Sequence, residues 1–141
     1  MALATAFNSG ALALADASVD FAADACYAIL VDGYTLDKAH TAYSDVSAAE
    51  LSAAGDYDRV ALAGKSVSIV GGKVRYNCND ISFGDPVSIG PTDGLVILKG
   101  TAATPQAADP LLFYAPLADL QSTDAVFSVN VPDGLYELTI A

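Results

Sequence analysis

The chain has no tryptophan, one histidine, two cysteines, and six basic residues against seventeen acidic ones in 141 positions. Each scarcity excludes something. Neutralising phosphates takes clustered Lys and Arg, and Lys38, Arg59, Lys65, Lys73, Arg75 and Lys99 are dispersed one by one, so direct nucleic-acid binding is not expected. With His40 alone, an HExxH zinc helix is excluded, and a Ser-His-Asp triad would have to use His40 without a GxSxG elbow to present its serine. A lone imidazole lacks orienting partners, so His40 reads as a loop hydrogen-bonding or solvent-facing residue. Asp56 and Asp58 flank Tyr57 as a glycosidase carboxylate pair does. Without tryptophan and with little arginine there is no sugar cleft around them, and they read as a solvated strand face. Asp37, Asp45 and Glu50 could chelate calcium, but EF-hand spacing is missing. Gly71-Gly72, Gly84, Gly90 and Gly94 lack the GK[ST] ending of a phosphate loop and read as turn glycines. No catalytic, metal or cofactor site is expected, and no enzyme.

Cys26 and Cys78 permit one disulfide and no metal framework, and both read as small buried hydrophobes. No apolar run approaches the roughly 18 residues of a membrane span. The N-terminus lacks a basic n-region, although Ala11–Ala15 is weakly h-region-like.

What is present is apolar and acidic. Hydrophobic residues make up 53% of the chain, many of them alanine, and formal net charge is −11, with a mean hydropathy of +0.41. This length suits a single domain with one core. Small apolar residues suit surfaces that become buried in an assembly as well as cores. The acidity either keeps an apolar protein soluble or marks a surface held away from nucleic acid.

Residues 1–24 are Ala-rich and read as an N-terminal arm or first element, with residues 25–141 as the main domain. Asp16, Asp20 and Asp24 would share a helical face, but Ser9-Gly10 interrupts any long helix. Tyr27–Val31 reads as a strand buried on both faces. Residues 36–52 read as a loop with a helical turn. Tyr57–Ala63 alternates loosely, whereas Lys65–Val70 and Lys73–Cys78 alternate clearly about Gly71-Gly72, the strongest hairpin signal in the chain. Asp85-Pro86 and Pro91–Gly94 read as turns. Strands are expected at Leu95–Leu98, Leu111–Ala115, Ala125–Val131 and Leu135–Ile140, with Gly100–Pro110 as a loop and Pro132-Asp133-Gly134 as a turn. Short strands with a turn every 8–15 residues favour an all-β, antiparallel β-sandwich.

The order of elements carries a further signal. Tyr27-Ala-Ile-Leu-Val31 leads through Asp32-Gly33 into Tyr34, Thr35, Asp37, His40, Tyr43, Ser44, Asp45 and Val46. Gly55 and Tyr57 follow, then Leu62, Gly64-Lys65 and the alternating run to Val70. Later come Asn79-Asp80-Ile81-Ser82-Phe83 and Asp109-Pro110-Leu111-Leu112-Phe113-Tyr114. From about Val19 to Ile140 this resembles, in unchanged order, a family of small tailed-bacteriophage virion proteins. The resemblance implies a structural role, most specifically a capsid decoration (cement) protein on the exterior of the assembled head, put together in the host cytoplasm. Its partners would be the major capsid protein and sister copies, in a homo-oligomer taken as a trimer. A tail, neck or head-fibre component is the alternative within that class, and a small ligand- or carbohydrate-binding β-sandwich a more distant one. The seven tyrosines (27, 34, 43, 57, 76, 114 and 136) are candidate interface anchors, about half of them ordinary core. The expected contact residues are Phe7, Leu12 and Leu14 in the leader and Tyr34, Leu36, His40 and Tyr43 in the loop.

Overall fold

The computed structural model describes residues 3–52 and 55–139. Within them the chain runs β1 (Thr5–Ala6), α1 (Asn8–Ala15), β2 (Cys26–Val31), 3-10 turns at Tyr43–Asp45 and Ser47–Ala49, then β3 (Val60–Ala61), β4 (Ser66–Val70) and β5 (Lys73–Asn77). It closes with β6 (Ile81–Lys99), β7 (Leu111–Val129) and β8 (Tyr136–Thr139). The fold is all-β with one helix. A five-stranded sheet has the order β1-β7-β6-β2-β3, and a three-stranded sheet the order β4-β5-β8; all pairings are antiparallel.

The sheet centre is where β2, β6 and β7 lie side by side, from Cys26↔Lys99 to Val31↔Gly94 and from Leu98↔Leu111 to Gly94↔Pro116. Side chains alternate across a pleat, and here both faces are apolar. Cys26, Ala28, Leu30, Leu95, Ile97, Phe113 and Ala115 face one side. Tyr27, Ile29, Val31, Val96, Leu98 and Tyr114 face the other. Such a sheet needs two covers. The small sheet covers the first side through an aromatic cluster, in which Phe113 stacks on Tyr136 at 5.2 Å and Phe21 meets Tyr76 and Phe113 edge-on at 5.8 and 5.9 Å. Segment 34–49 covers the second through Tyr34, Leu36, Tyr43, Val46 and Ala49, together with Phe7.

The β4–β5 hairpin forms as the alternation predicts, with Val70↔Lys73 flanking the turn. Gly71 and Gly72 take φ of 59° and 76°, the left-handed pair a two-residue hairpin needs. Cys26 and Cys78 are buried, unpaired thiols, and burial pushes both up to about 11. Of the strand expected at Leu135–Ile140, Tyr136–Thr139 forms β8, and Ile140 lies outside the described residues.

Three expectations are corrected. Asp85-Pro86 and Pro91–Gly94 do not end strands: they lie inside the 19-residue β6, which pairs with the 19-residue β7 through register shifts between Ser82 and Gly94. A proline without its N–H is tolerated where a ladder bulges. Buried hydroxyls bridge the irregular stretch: Ser122 Oγ donates to the Val87 carbonyl at 2.9 Å and accepts the Ile89 N–H, and Thr92 Oγ1 donates to the Val31 carbonyl at 2.7 Å. The turn residues therefore bend a continuous ribbon. Secondly, Tyr57–Ala63 yields only the two-residue β3, because Tyr57 turns inward to stack on Phe83.

Thirdly, Ser9-Gly10 does not break the helix but lies within α1; the helix is short as expected, and because it stops at Ala15, Asp16, Asp20 and Asp24 share no helical face. Gly10 is where α1 backs onto β7. A Cβ there would lie 2.5 Å from the Leu111 carbonyl oxygen and 2.9 Å from Leu112 Cα. Gly10→Ala, which raises intrinsic helix propensity, is therefore expected to destabilise by about 1–3 kcal/mol through overpacking. Denaturant unfolding measures it, and an unchanged or raised midpoint contradicts this packing.

Candidate interaction surface

The loop after β2 is held along its length by its own chain. Asp32-Gly33 leaves the strand, and the Gly33 N–H donates to the Asp93 carboxylate. The Tyr34 hydroxyl shares a 2.8 Å hydrogen bond with His40 Nδ1, and Asp37 Oδ2 lies 3.6 Å from His40 Nε2. Asp37 Oδ1 accepts the Ala39 N–H. Asp45 accepts the Thr41 and Ala42 N–H groups at 2.9 and 3.2 Å, closing the first 3-10 turn. Backbone bonds tie the loop to its surroundings: Asn8 N–H to the Lys38 carbonyl, Tyr43 N–H to Asp109, Ser44 N–H to Ala107, and Leu111 N–H to Thr41.

At the end of this segment lies a polar network that sequence reading missed. The Glu50 side chain is 5% exposed, and Arg59 Nε sits 2.8 Å from its Oε2 as an ion pair. Arg59 Nη2 donates to Oε1 at 3.0 Å, and the Tyr57 hydroxyl donates to Oε2 at 2.7 Å. Tyr43 donates a short bond to Oε1 and receives one from Arg59 at 3.2 Å. Tyr57 also accepts the Leu30 N–H of β2, so the network reaches the sheet centre. Burial first, and the Glu50 carboxylate second, push the Tyr57 phenol far above its ordinary value of 10. Burial opposes the Arg59 charge, but Glu50 and Tyr43 more than offset it and hold the guanidinium above its ordinary value. Local sequence carries no signal for this network: Tyr57 and Arg59 flank Asp58 in a polar run, Glu50 follows two alanines, and nothing in that spacing speaks of their convergence.

The expected contact residues fall into different environments. Phe7 is fully buried between β7 and the loop cover; it is a core residue, and its assignment as a contact is corrected. It sits between β1 and α1 on extended backbone, and its N–H donates to the Leu112 carbonyl of β7, which seats the ring against the sheet. Leu12 projects from α1 and is 64% exposed. Leu14 is half-buried and lines, with Ala11, Ala15, Tyr76, Tyr136 and Leu138, an apolar recess of about 240 Å³ between α1 and the small sheet. Tyr34, Leu36 and Tyr43 are half-buried because their apolar surface already covers the central sheet, with Tyr34 edge-on to Tyr114 at 5.7 Å. His40 keeps about a third of its side chain exposed. The seven residues therefore do not form one patch: loop and leader are separate surfaces.

The remaining carboxylates bind the chain's own backbone or face solvent. Asp56 accepts the Ser88 N–H at 2.7 Å and Asp58 the Arg59 N–H at 2.8 Å, while the tyrosine between them is buried. Asp32, Asp93 and Asp119 bring carboxylate oxygens within 4.8 Å of one another. Such clusters are common on a strongly acidic surface, and this one reads as a solvated face. Arg59, Lys65, Lys73, Arg75 and Lys99 all sit on oxygens of the same chain, which leaves the outer surface dominated by carboxylates. Among the described residues no helix is long and apolar enough to cross a membrane. No family model, curated protein or solved structure matches the chain.

Two outcomes follow from the network and the loop. Arg59→Met leaves the buried Glu50 carboxylate with only phenol donors and is expected to cost about 1–3 kcal/mol, against about 1 kcal/mol for Tyr43→Phe; equal costs in denaturant unfolding contradict the ion pair. The Thr41 and Ala42 N–H groups hold the Asp45 carboxyl below its ordinary 3.8. The unfolded chain takes up this proton first. The contribution is therefore complete above the ordinary value and is lost as pH falls through the folded one. Asp45→Asn should lower stability at neutral pH and flatten its fall in acid, which unfolding midpoints across a pH series measure.

Proposed function

We propose that this chain is a structural component of a tailed-phage virion, a decoration protein that binds the exterior of the assembled head and stabilises it. The observation that carries the reading is how segment 34–50, which holds part of the family resemblance, uses its side chains. Tyr34, Asp37, His40, Tyr43, Asp45 and Glu50 all hold other parts of the same chain. Residues that could be mistaken for a site work as architecture, making a stiff plate whose outer surface is fixed before any partner arrives. Preorganisation of this kind lowers the entropic cost of association.

The partner surface proposed for such a plate is the major capsid protein. The exposed rims of Tyr34, Leu36, His40 and Tyr43 on the loop and Leu12 and Leu14 on α1 make the contact. The acidic exterior suits a position outside the shell, away from packaged nucleic acid. A symmetric shell repeats each contact many times, so modest affinity per site suffices to hold it closed.

The test is addition of the purified chain to expanded heads that lack it. It should bind at copy numbers on the order of hundreds per head and raise the temperature at which the shell ruptures, and Leu12→Asp should weaken that binding without lowering the chain's own stability. Failure to bind heads, with incorporation into isolated tails or necks, would overturn the head assignment.

A further inference from the structure

We infer that a second copy of this chain pairs with the outer edge of β4, joining two small sheets into one of six strands about a two-fold axis. β4 is the outermost strand of its sheet and pairs with β5 in unbroken register from Ser66↔Asn77 to Val70↔Lys73. All five of its residues are exposed, with Ile69 at 75%, Val67 at 44% and Val70 at 41%. An edge strand offers a row of backbone donors and acceptors, and monomeric proteins blunt it with charge, proline, a bulge or a covering segment. Ser-Val-Ser-Ile-Val carries no charge and no proline, its ladder has no bulge, and no strand among the described residues covers it. The chemistry that fits such an edge is another extended backbone.

Charge and pattern together select a copy of the same chain. In a two-fold contact each residue meets itself or its mirror position, so any charge on the edge would face its like, which destabilises a cross-strand pair. This chain carries a net charge of −11, yet its exposed edge is neutral. The nearest cations are engaged elsewhere: Lys65 on the Asp24 carbonyl, and Lys73 and Arg75 on Glu137.

Antiparallel pairing about Ser68 places Ser68 opposite Ser68, and Val67 of each copy opposite Ile69 of the other. Because side chains alternate with a period of two, Val67 and Ile69 of both copies then lie on one face. That is the face of Tyr76 and Tyr136, which pack toward the aromatic cluster. The row Leu138, Val74, Ile69 of one copy runs on into Val67, Tyr76, Tyr136 of the other. Leu138, 49% exposed in the single chain, sits at the end of that continuous apolar row. The contact is a property of the chain alone, whether or not it binds a capsid. It is two-fold, unlike the trimer taken as the expectation from sequence.

The experiment is sedimentation equilibrium of the full chain over a concentration series, with Ser68→Asp and Ser68→Lys beside it. The wild-type chain should approach twice its 14.4 kDa mass. Each variant alone should dissociate about fivefold more readily, since like charges then meet at the axis. An equimolar mixture should recover the dimer, with the mixed pair dominant in native mass spectrometry. Ser68 is exposed, and equal unfolding midpoints confirm that the variants fold. A wild-type chain that stays monomeric throughout overturns the inference. So does an oligomer, a three-fold ring included, that neither variant weakens, and so does a mixture that fails to recover.

Discussion

The structure depends on one constraint: the central strands β2, β6 and β7 are apolar on both faces, so each face must be covered by the same chain. Ala28, Leu30, Ile97 and Phe113 require one cover, and Tyr27, Ile29, Val96 and Leu98 the other. The two covers differ in kind. The small sheet β4-β5-β8 closes the first face with stacked aromatics, whose large apolar area stabilises strongly for few ordered residues. An irregular loop closes the second, and a loop at a core boundary must find partners for every backbone polar group it buries.

That requirement explains why so much of the loop's polar chemistry is used on its own chain. Asp45 caps a 3-10 turn, Asp37 and Tyr34 fix His40, and Glu50 gathers Arg59, Tyr43 and Tyr57 at the point where the loop rejoins β2. Glu50 also bridges to Val31. A buried carboxylate with a single partner would be costly, and one with a guanidinium and two phenols is satisfied. The network is thus a clamp between loop cover and sheet. It uses the residue types from which active sites are made, so a search by residue type alone would misread it.

The long β6–β7 ribbon and the β4 edge are treated differently. β6 and β7 carry bulges, prolines and the positive-φ residues Asp119 and Asp124 along their exposed middle, all of which discourage further pairing. β4 carries none of these. A flat, uncharged five-residue edge of this kind is where a neighbour's strand fits.

By itself the sequence determined the all-β class, the Tyr27–Val31 strand, the Gly71-Gly72 hairpin and the buried thiols. The class and the hairpin follow from alternation and turn chemistry, the strand from a short continuous apolar run, and the thiols from the tendency of cysteine to be buried. Tertiary structure alone decided that Asp85-Pro86 and Gly90-Pro91 bend a ribbon and do not end it, because the outcome rests on whether β7 can match each irregularity from across the sheet. It also decided that Gly10 is a helix contact, that Phe7 and much of Tyr34 and Tyr43 are core, and that Glu50, Tyr57 and Arg59 converge. Burial is set by what packs on a residue from far along the chain, and local pattern carries no information about that partner.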